Sequence, residues 1–406
     1  MKALSLFIPL FQTVLSPHLM ATAETSAQKY EIIDLGVIEG REEDHYLAKC
    51  INNRGQVAGD IWDASAKPRY SDGIFIWDAT GGMRNIDYSF GNTWVWVQDF
   101  NNHGLILGST RERVGTGWTS SFFWEETHGL THQVAEGLEG IATSLTNHGK
   151  VLFVPRPPIP NDPPESEFNG PTILNGSERT ILRESYPTLM RAVAMNEYGD
   201  WVGWSQDGEL LSNTIEFKNY PFPSGNPPPQ LQPVFPRPHS LEAHAITGSR
   251  LVFIREFVDF SKTQIGGGMP AIYQHWIYDS SGTWTQVALP SGYREIRTNG
   301  INSSGEIVGG GTLREWSAEL EDRGIEAGSS WGSKIHQLFA STFNWNQEIA
   351  LYWRGDSVFE LQDFVVDMKD WNSLEAAHDI NEAGWIVGMG TKDGKSRAFL
   401  LRPIEE

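Results

Sequence analysis

Hydrophobic residues occur along this chain in short runs broken by turn-forming residues, and few stretches show the spacing of an amphipathic helix. One arrangement recurs: an apolar residue, Asn or Thr, two variable residues, then Gly. It reads Ile51-Asn52-Asn53-Arg54-Gly55, Phe100-Asn101-Asn102-His103-Gly104, Leu145-Thr146-Asn147-His148-Gly149 and Met195-Asn196-Glu197-Tyr198-Gly199. A degenerate Ile246-Thr247-Gly248-Ser249-Arg250 follows, then Ile301-Asn302-Ser303-Ser304-Gly305 and Ile380-Asn381-Glu382-Ala383-Gly384. The spacings are 49, 45, 50, 51, 55 and 79 residues, a propeller-blade period with one large insertion. Asn or Thr at the start of a tight hairpin bonds its own backbone two residues on, and the Gly takes the left-handed conformation, so each copy joins two antiparallel strands.

After the Gly comes an apolar strand closed by a second Gly, as in Gln56 to Gly59 and Glu306 to Gly309. A third strand follows, such as Ile74-Phe75-Ile76-Trp77 or Ile349 to Arg354, and then a fourth, such as Met83 to Asp87, Arg179 to Arg183 or Ser357 to Leu361. Unit four is illegible past Phe217. The last unit ends after Ala398-Phe399-Leu400-Leu401 without a fourth strand, while Tyr30-Glu31-Ile32-Ile33-Asp34-Leu35-Gly36 precedes unit one and belongs to no unit. That mismatch is what a closed ring requires, with the N-terminal strand completing the final blade and hiding two edges. The fold class is therefore all-β, a seven-bladed β-propeller of four-stranded blades. Six or eight blades, or another all-β stack, are the alternatives; an open solenoid would instead want capping repeats at both ends.

The pattern Ala48-x-x-Ile51-Asn52-x-x-Gly55-x-Val57-x-Gly59, then Phe75-x-Trp77, then Gly82-Met83, together with Asp34-Leu35-Gly36, resembles the HAF-repeat family of extracellular proteins over nearly all of the chain. The family is named for a His-Ala-Phe before the third strand; here Arg397-Ala398-Phe399 is nearest, and no copy keeps the His. The resemblance implies a secreted repeat fold and carries no reaction.

Composition adds the compartment. Met1 and Lys2 precede an apolar run from Ala3 to Leu15, then Ser16, Pro17 and the small-residue site Ala21-Thr22-Ala23, the layout of an export signal over residues 1–23. The run is too short to span a bilayer, no other approaches that length, and Pro9 and Pro17 interrupt the alternative, a buried N-terminal helix. Residues 24–406 then form one secreted domain, periplasmic or extracellular. A lone Cys50 allows no internal disulfide, so stability rests on burial. A formal net charge of −20 argues against nucleic acid as a partner.

Apparent catalytic motifs carry little. Gly328-Ser329-Ser330-Trp331-Gly332 fits a nucleophile elbow, but polar sequence precedes it where a buried strand is needed. Asp393-Gly394-Lys395-Ser396 imitates a phosphate loop, yet Met389 stands where its first Gly belongs. His128 and His132 flank a turn into a strand, about 13 Å apart when extended. No metal or cofactor is expected.

Equivalent positions around the ring are more informative. Two residues before the motif's apolar residue stand Lys49, Gln98, Thr143, Val193, His244, Asn299 and His378; one later stand Cys50, Asp99, Ser144, Ala194, Ala245, Gly300 and Asp379. Lys49, Gln98, Asp99, His244, Asn299, His378 and Asp379 are the candidate ligand residues, at the mouth of an axial channel. The competing reading has these side chains hydrogen-bonded between blades or to channel water. Three insertions break the period: 155–171 and 221–238, both proline-rich, and 312–346 in blade six, with helical periodicity at its middle and Trp316, Trp331 and Trp345. Those aromatics would stack on a sugar or a protein, or else cover neighbouring blades. The functional expectation is a monomeric binding or scaffolding module for a glycan or protein. The alternative is a secreted hydrolase or lyase acting on a glycan or other polymer, marked by two carboxyls about 5 to 9.5 Å apart beside exposed Trp.

Overall fold

Each Asn-x-x-Gly turn closes in the same way. In the first copy Asn52 Oδ1 accepts from the N–H groups of Arg54 and Gln56, both at 3.0 Å, and Gly55 takes φ +75°. The glycines at 104, 149, 199, 305 and 384 repeat the positive φ; in the degenerate copy Arg250 bears it at +63°, its Nε 2.8 Å from Asp200. The computed structural model describes residues 28–65, 71–86, 93–112, 119–131, 134, 140–155, 170–205, 209–218, 241–259, 272–288, 293–313 and 348–404. The export signal, the proline-rich insertions and the aromatic residues Trp316, Trp331 and Trp345 lie outside them, as do Ser330 and His132.

The turns join strands into seven antiparallel sheets, making a seven-bladed β-propeller. Blade one holds His45–Ile51, Val57–Trp62, Ser71–Asp78 and Gly82–Asn85, in that order from the axis outward. Blade two holds Thr93–Phe100, Ile106–Glu112, Thr119–Glu125 and Gly129–Thr131; blade three holds Gly140–Leu145, Val151–Pro155, Thr172–Asn175 and Glu178–Ile181. Blade four shows Leu189–Met195, Trp201–Ser205 and Leu210–Ser212 among the described residues. Blade five holds Leu241–Ile246, Val252–Asp259, Ile272–Tyr278 and Trp284–Gln286; blade six holds Tyr293–Ile301, Ile307–Leu313, Glu348–Arg354 and Ser357–Glu360. Blade seven holds Trp371–Ile380, Ile386–Lys392 and Lys395–Pro403, and its outer strand is Tyr30–Asp34. Ile32 pairs Leu401, and Tyr30 pairs Pro403, which closes the ring as the orphan N-terminal strand requires.

Two strand boundaries differ from the sequence pattern. Arg179 to Arg183 is not all strand: Leu182–Ser185 makes a helical turn that buries Leu182 under blade four. In the five units that have a second Gly, it does not close its strand but sits inside it, and the reason is space. A Cβ on Gly59, Gly203, Gly309 or Gly388 would fall about 2 Å from the carbonyl oxygen of Leu47, Arg191, Arg297 or Ala376 on the inner strand. On Gly108 it would strike the ring of Phe122.

Seven buried apolar clusters lie between neighbouring blades. Val387, Ala398 and Leu400 of blade seven meet Tyr46, Val57, Phe75 and Trp77 of blade one, and Val308 and Tyr352 of blade six meet Trp371, Leu374 and Tyr30. The other five interfaces are filled likewise. Polar groups tie the same interfaces. The motif amides donate from one blade to the next: Asn52 Nδ2 to Asn101 O at 3.1 Å, Asn101 to Thr146 O at 3.1 Å, Asn196 to Thr247 O at 3.0 Å, Asn302 to Asn381 O at 3.4 Å and Asn381 to Asn52 O at 3.1 Å. Thr146 and Thr247 have no amide to donate; there Ser144 Oγ accepts from Met195 N, and Ser249 Oγ donates to Ser303 O.

Inner strands run toward this turn-bearing face and second strands run back, so connections from second to third strands emerge on the opposite face. The segments that interrupt blades three and six are of this kind. Among the described residues no helix is long and apolar enough to cross a membrane.

Candidate functional site

All seven inner strands slip register by one residue at the same place: Lys49, Gln98, Thr143, Val193, His244, Asn299 and His378 are the extra residues of seven β-bulges. A bulge leaves its residue out of the ladder and re-aims its side chain. It also leaves the next residue positioned to reach across to the following blade. Asp99 Oδ2 accepts from Leu145 N at 2.6 Å and Oδ1 from its neighbour Phe100 N at 2.7 Å; Asp379 Oδ2 accepts from Ile51 N at 2.9 Å and Oδ1 from Ile380 N at 2.8 Å. These two carboxyls, two of the seven candidates, staple blade two to three and blade seven to one. Asp60, on the second strand of blade one, takes Val97 N at 2.8 Å in the same manner.

Burial sets their ionisation. It pushes Asp379 up to about 7, against its two N–H donors and with a further push from Asp99; it raises Asp99 to about 6 against the same kind of donors. Asp60 is raised to about 6 by burial, opposed by the Lys49 charge and the Val97 N–H. Cys50 is pushed well up, first by burial and then by Asp379 and Asp99; its Sγ lies 3.8 Å from Gln98 O.

Three of the candidates, Lys49, Asn299 and His378, meet in one cavity of about 460 Å³ where blades six, seven and one converge, on the face opposite the Asn turns. His45, Leu47 and Trp62 of blade one line it, with Arg297, Gly310, Gly311, Thr312 and Glu348 of blade six and Ala376, Met389 and Ser396 of blade seven. Gln98, Asp99, His244 and Asp379 do not, and His244 instead stands 6.3 Å, ring to ring, from Phe253 within blade five. Thr312 and Glu348 bracket the insertion of blade six, which leaves and rejoins the ring at the rim of the cavity.

The cavity's polar groups have defined roles. His378 lies 2.7 Å through Nδ1 from the carbonyl oxygen of Ala48, which can only accept, so Nδ1 carries the hydrogen. Burial and then the charge of Lys49 hold its pKa down at about 3, against that bond, so the ring is neutral and Nε2 is an acceptor. Asn299 spends an Nδ2 hydrogen on Ala377 O at 2.8 Å, which leaves Oδ1 as an acceptor. Lys49 supplies a cation, and Arg297 Nη1 stands 3.8 Å from Glu348 Oε1. The lining thus offers two neutral acceptors, basic groups at 49 and 297, one carboxylate and the indole of Trp62.

His45, Trp62, Arg297 and Glu348 were not among the candidates. Strand alternation would have reached two of them, since Lys49, Leu47 and His45 share one face of an inner strand, as do Asn299 and Arg297. Elsewhere His128 is held by Glu125 at 2.6 Å on an exposed turn, and Asp393-Gly394 is the hairpin between two strands of blade seven. No group of three metal-ligating side chains occurs among the described residues.

No protein-family model matches the chain, and no curated protein sequence does. Solved structures similar to it include a streptogramin B lyase at 9% identity and a TM-score of 0.42, covering 93% of this chain and 98% of that one. Another is virginiamycin B lyase from Staphylococcus aureus, at 9% identity and 0.41, covering 93% and 100%. A third is the β-propeller domain of the Trilobed protease from Pyrococcus furiosus, at 11% identity and 0.34, covering 94% and 84%. The likeness is one of fold, and the reactions in those names belong to those proteins.

Proposed function

We propose that this propeller is a secreted, HAF-repeat-like binding module that holds a polar small ligand, or the end of a glycan chain, in the cavity between blades six, seven and one. The observation that carries the reading is the convergence of Lys49, Asn299 and His378 on one cavity from equivalent bulges of three blades. A rigid ring of interlocked blades holds those groups in place before a ligand arrives, which lowers the ordering cost of binding. The cavity volume falls within the ~300–1,000 Å³ of small-ligand sites. For the alternative, a glycan hydrolase, the two-carboxyl marker is not met among the described lining residues, where Glu348 is the one acid; Asp99 and Asp379 are engaged in joining blades.

The test is an array of glycans and peptides probed with the mature chain and with Gly310→Phe. Gly310 lines the cavity, and a Cβ there would meet nothing nearer than 3.5 Å, so a large side chain has room to enter the site without disturbing its own strand. Binding that disappears in Gly310→Phe at an unchanged melting temperature supports the reading. Binding that survives the substitution refutes it.

A further inference from the structure

The cavity's charge runs against that of the chain. The protein has 51 acidic residues against 31 basic ones, yet among the described residues the lining brings Lys49, Arg297, His45 and His378 together with a single acid, Glu348. Lys49 makes no ion pair among the described residues. Its titratable neighbours leave it room: His378 is uncharged with Nδ1 committed to Ala48, and Asp60, which feels the Lys49 charge, is buried with Oδ1 on Val97 N. An ammonium group in a part-buried site with no carboxylate at ion-pair distance attracts an anion.

The remaining groups say what else the ligand carries. The Nε2 of His378 and the Oδ1 of Asn299 accept hydrogen bonds and are seven-fold-equivalent positions on adjacent blades, so both face a ligand rich in donors. Hydroxyl groups on a ring answer them, while the phosphate oxygens of a dianion would set lone pair against lone pair. Trp62 adds an apolar surface against which the C–H face of such a ring can lie. We infer that the cavity takes a carboxylate-bearing sugar, a uronic acid residue of an acidic glycan, with its carboxylate on Lys49 and its hydroxyls donating to His378 and Asn299. This rests on the cavity being the binding site, as proposed above.

Matched ligands separate the two claims. Calorimetric titration of the mature chain at low salt uses methyl glucuronide, galacturonide and mannuronide, each beside its neutral methyl glycoside, with glucose 6-phosphate and a short peptide bearing a free C-terminal carboxylate as competitors. At least one uronide should bind ten-fold or more tightly than its neutral partner. Lys49→Gln should bring that ratio toward one, Lys49→Arg should keep most of it, and Gly310→Phe should abolish binding. Equal affinity for a uronide and its neutral partner, with loss in Gly310→Phe, overturns the carboxylate inference and leaves the cavity reading standing. Uronide binding untouched by Gly310→Phe overturns the cavity reading itself. Tighter binding of the sugar phosphate or of the peptide acid than of every uronide overturns the ligand class, and no binding by any of these overturns both.

Discussion

Asn381 allows the ring's polar joints to be weighed one bond at a time. Its Oδ1 accepts from Ala383 N at 3.0 Å and Trp385 N at 2.9 Å, which builds the turn, and its Nδ2 donates to Asn52 O at 3.1 Å, which joins blade seven to blade one. The residue is 5% exposed, so water replaces little of what is lost. At about 1 kcal/mol for each of the three neutral bonds, plus about 1 kcal/mol for the carbonyl left unpaired in the interface, Asn381→Ala should cost about 4 kcal/mol. Asn381→Thr should cost less, because blade three already carries Thr146 there: its Oγ1 accepts from Lys150 N at 3.0 Å and keeps the turn, with no amide to bridge. That variant keeps one turn bond and loses the bridge, so it should cost about 3 kcal/mol, about 1 kcal/mol less than Ala. Urea unfolding followed by tryptophan fluorescence, with midpoint and slope compared among the three proteins, reads both numbers. If Ala and Thr are equally destabilising, the turn bond that Thr retains contributes nothing; if both lie within about 0.5 kcal/mol of the parent, the joint is ornamental.

Three further outcomes are expected. Because the folded pKa values of Asp379, Asp99 and Asp60 are raised to about 7, 6 and 6, the stability they contribute is complete below about pH 4 and is lost as pH rises to about 7; His378, held down at about 3, opposes them below about pH 6.5 with roughly one proton against their three, so melting temperature should still fall between pH 5 and 7, and Asp379→Asn should flatten that slope. The lowered carboxyls Asp78 and Asp279 act oppositely, only below about pH 4, so they leave that window clear. Gly388→Ala should cost about 3 kcal/mol, since its Cβ would lie 2.0 Å from Ala376 O, whereas Gly310→Ala on the equivalent strand of blade six should be neutral or slightly stabilising; equal melting temperatures for the two would refute the close-approach argument. Ile32→Asp, which puts a charge at a position 2% exposed on the closing strand, should lower the melting temperature by more than 5 °C; a change within 1 °C would show that this strand does not hold the ring.

The architecture was legible because each unit repeats its own local chemistry. A turn needs its Asn and its left-handed Gly within five residues, and an orphan strand such as Tyr30–Asp34 declares itself by belonging to no repeat. The bulge at Lys49 and its equivalents was legible as a position, but its consequence was not: the register slip depends on the partner strand. Asp99 and Asp379 read as site residues from polarity alone, and only the neighbouring blade's N–H groups reveal them as staples. The cavity was the least legible part. It belongs to three of seven blades, and Trp62 and Glu348 reach it from a second and a third strand, at positions that the comparison of inner strands never sampled.

The contact between Glu31 and Arg402 joins residues 371 positions apart, so the first strand of this pair waits for a partner that emerges much later in synthesis. Six blades can assemble from neighbouring hairpins while the seventh still shows an open edge, and the search for that final partner spans nearly the whole polypeptide. Moving Tyr30–Asp34 behind Pro403 by circular permutation would turn this last, distant pairing into a local hairpin. Such a chain should refold faster from urea than the parent, and present less unpaired edge to other molecules while it does so.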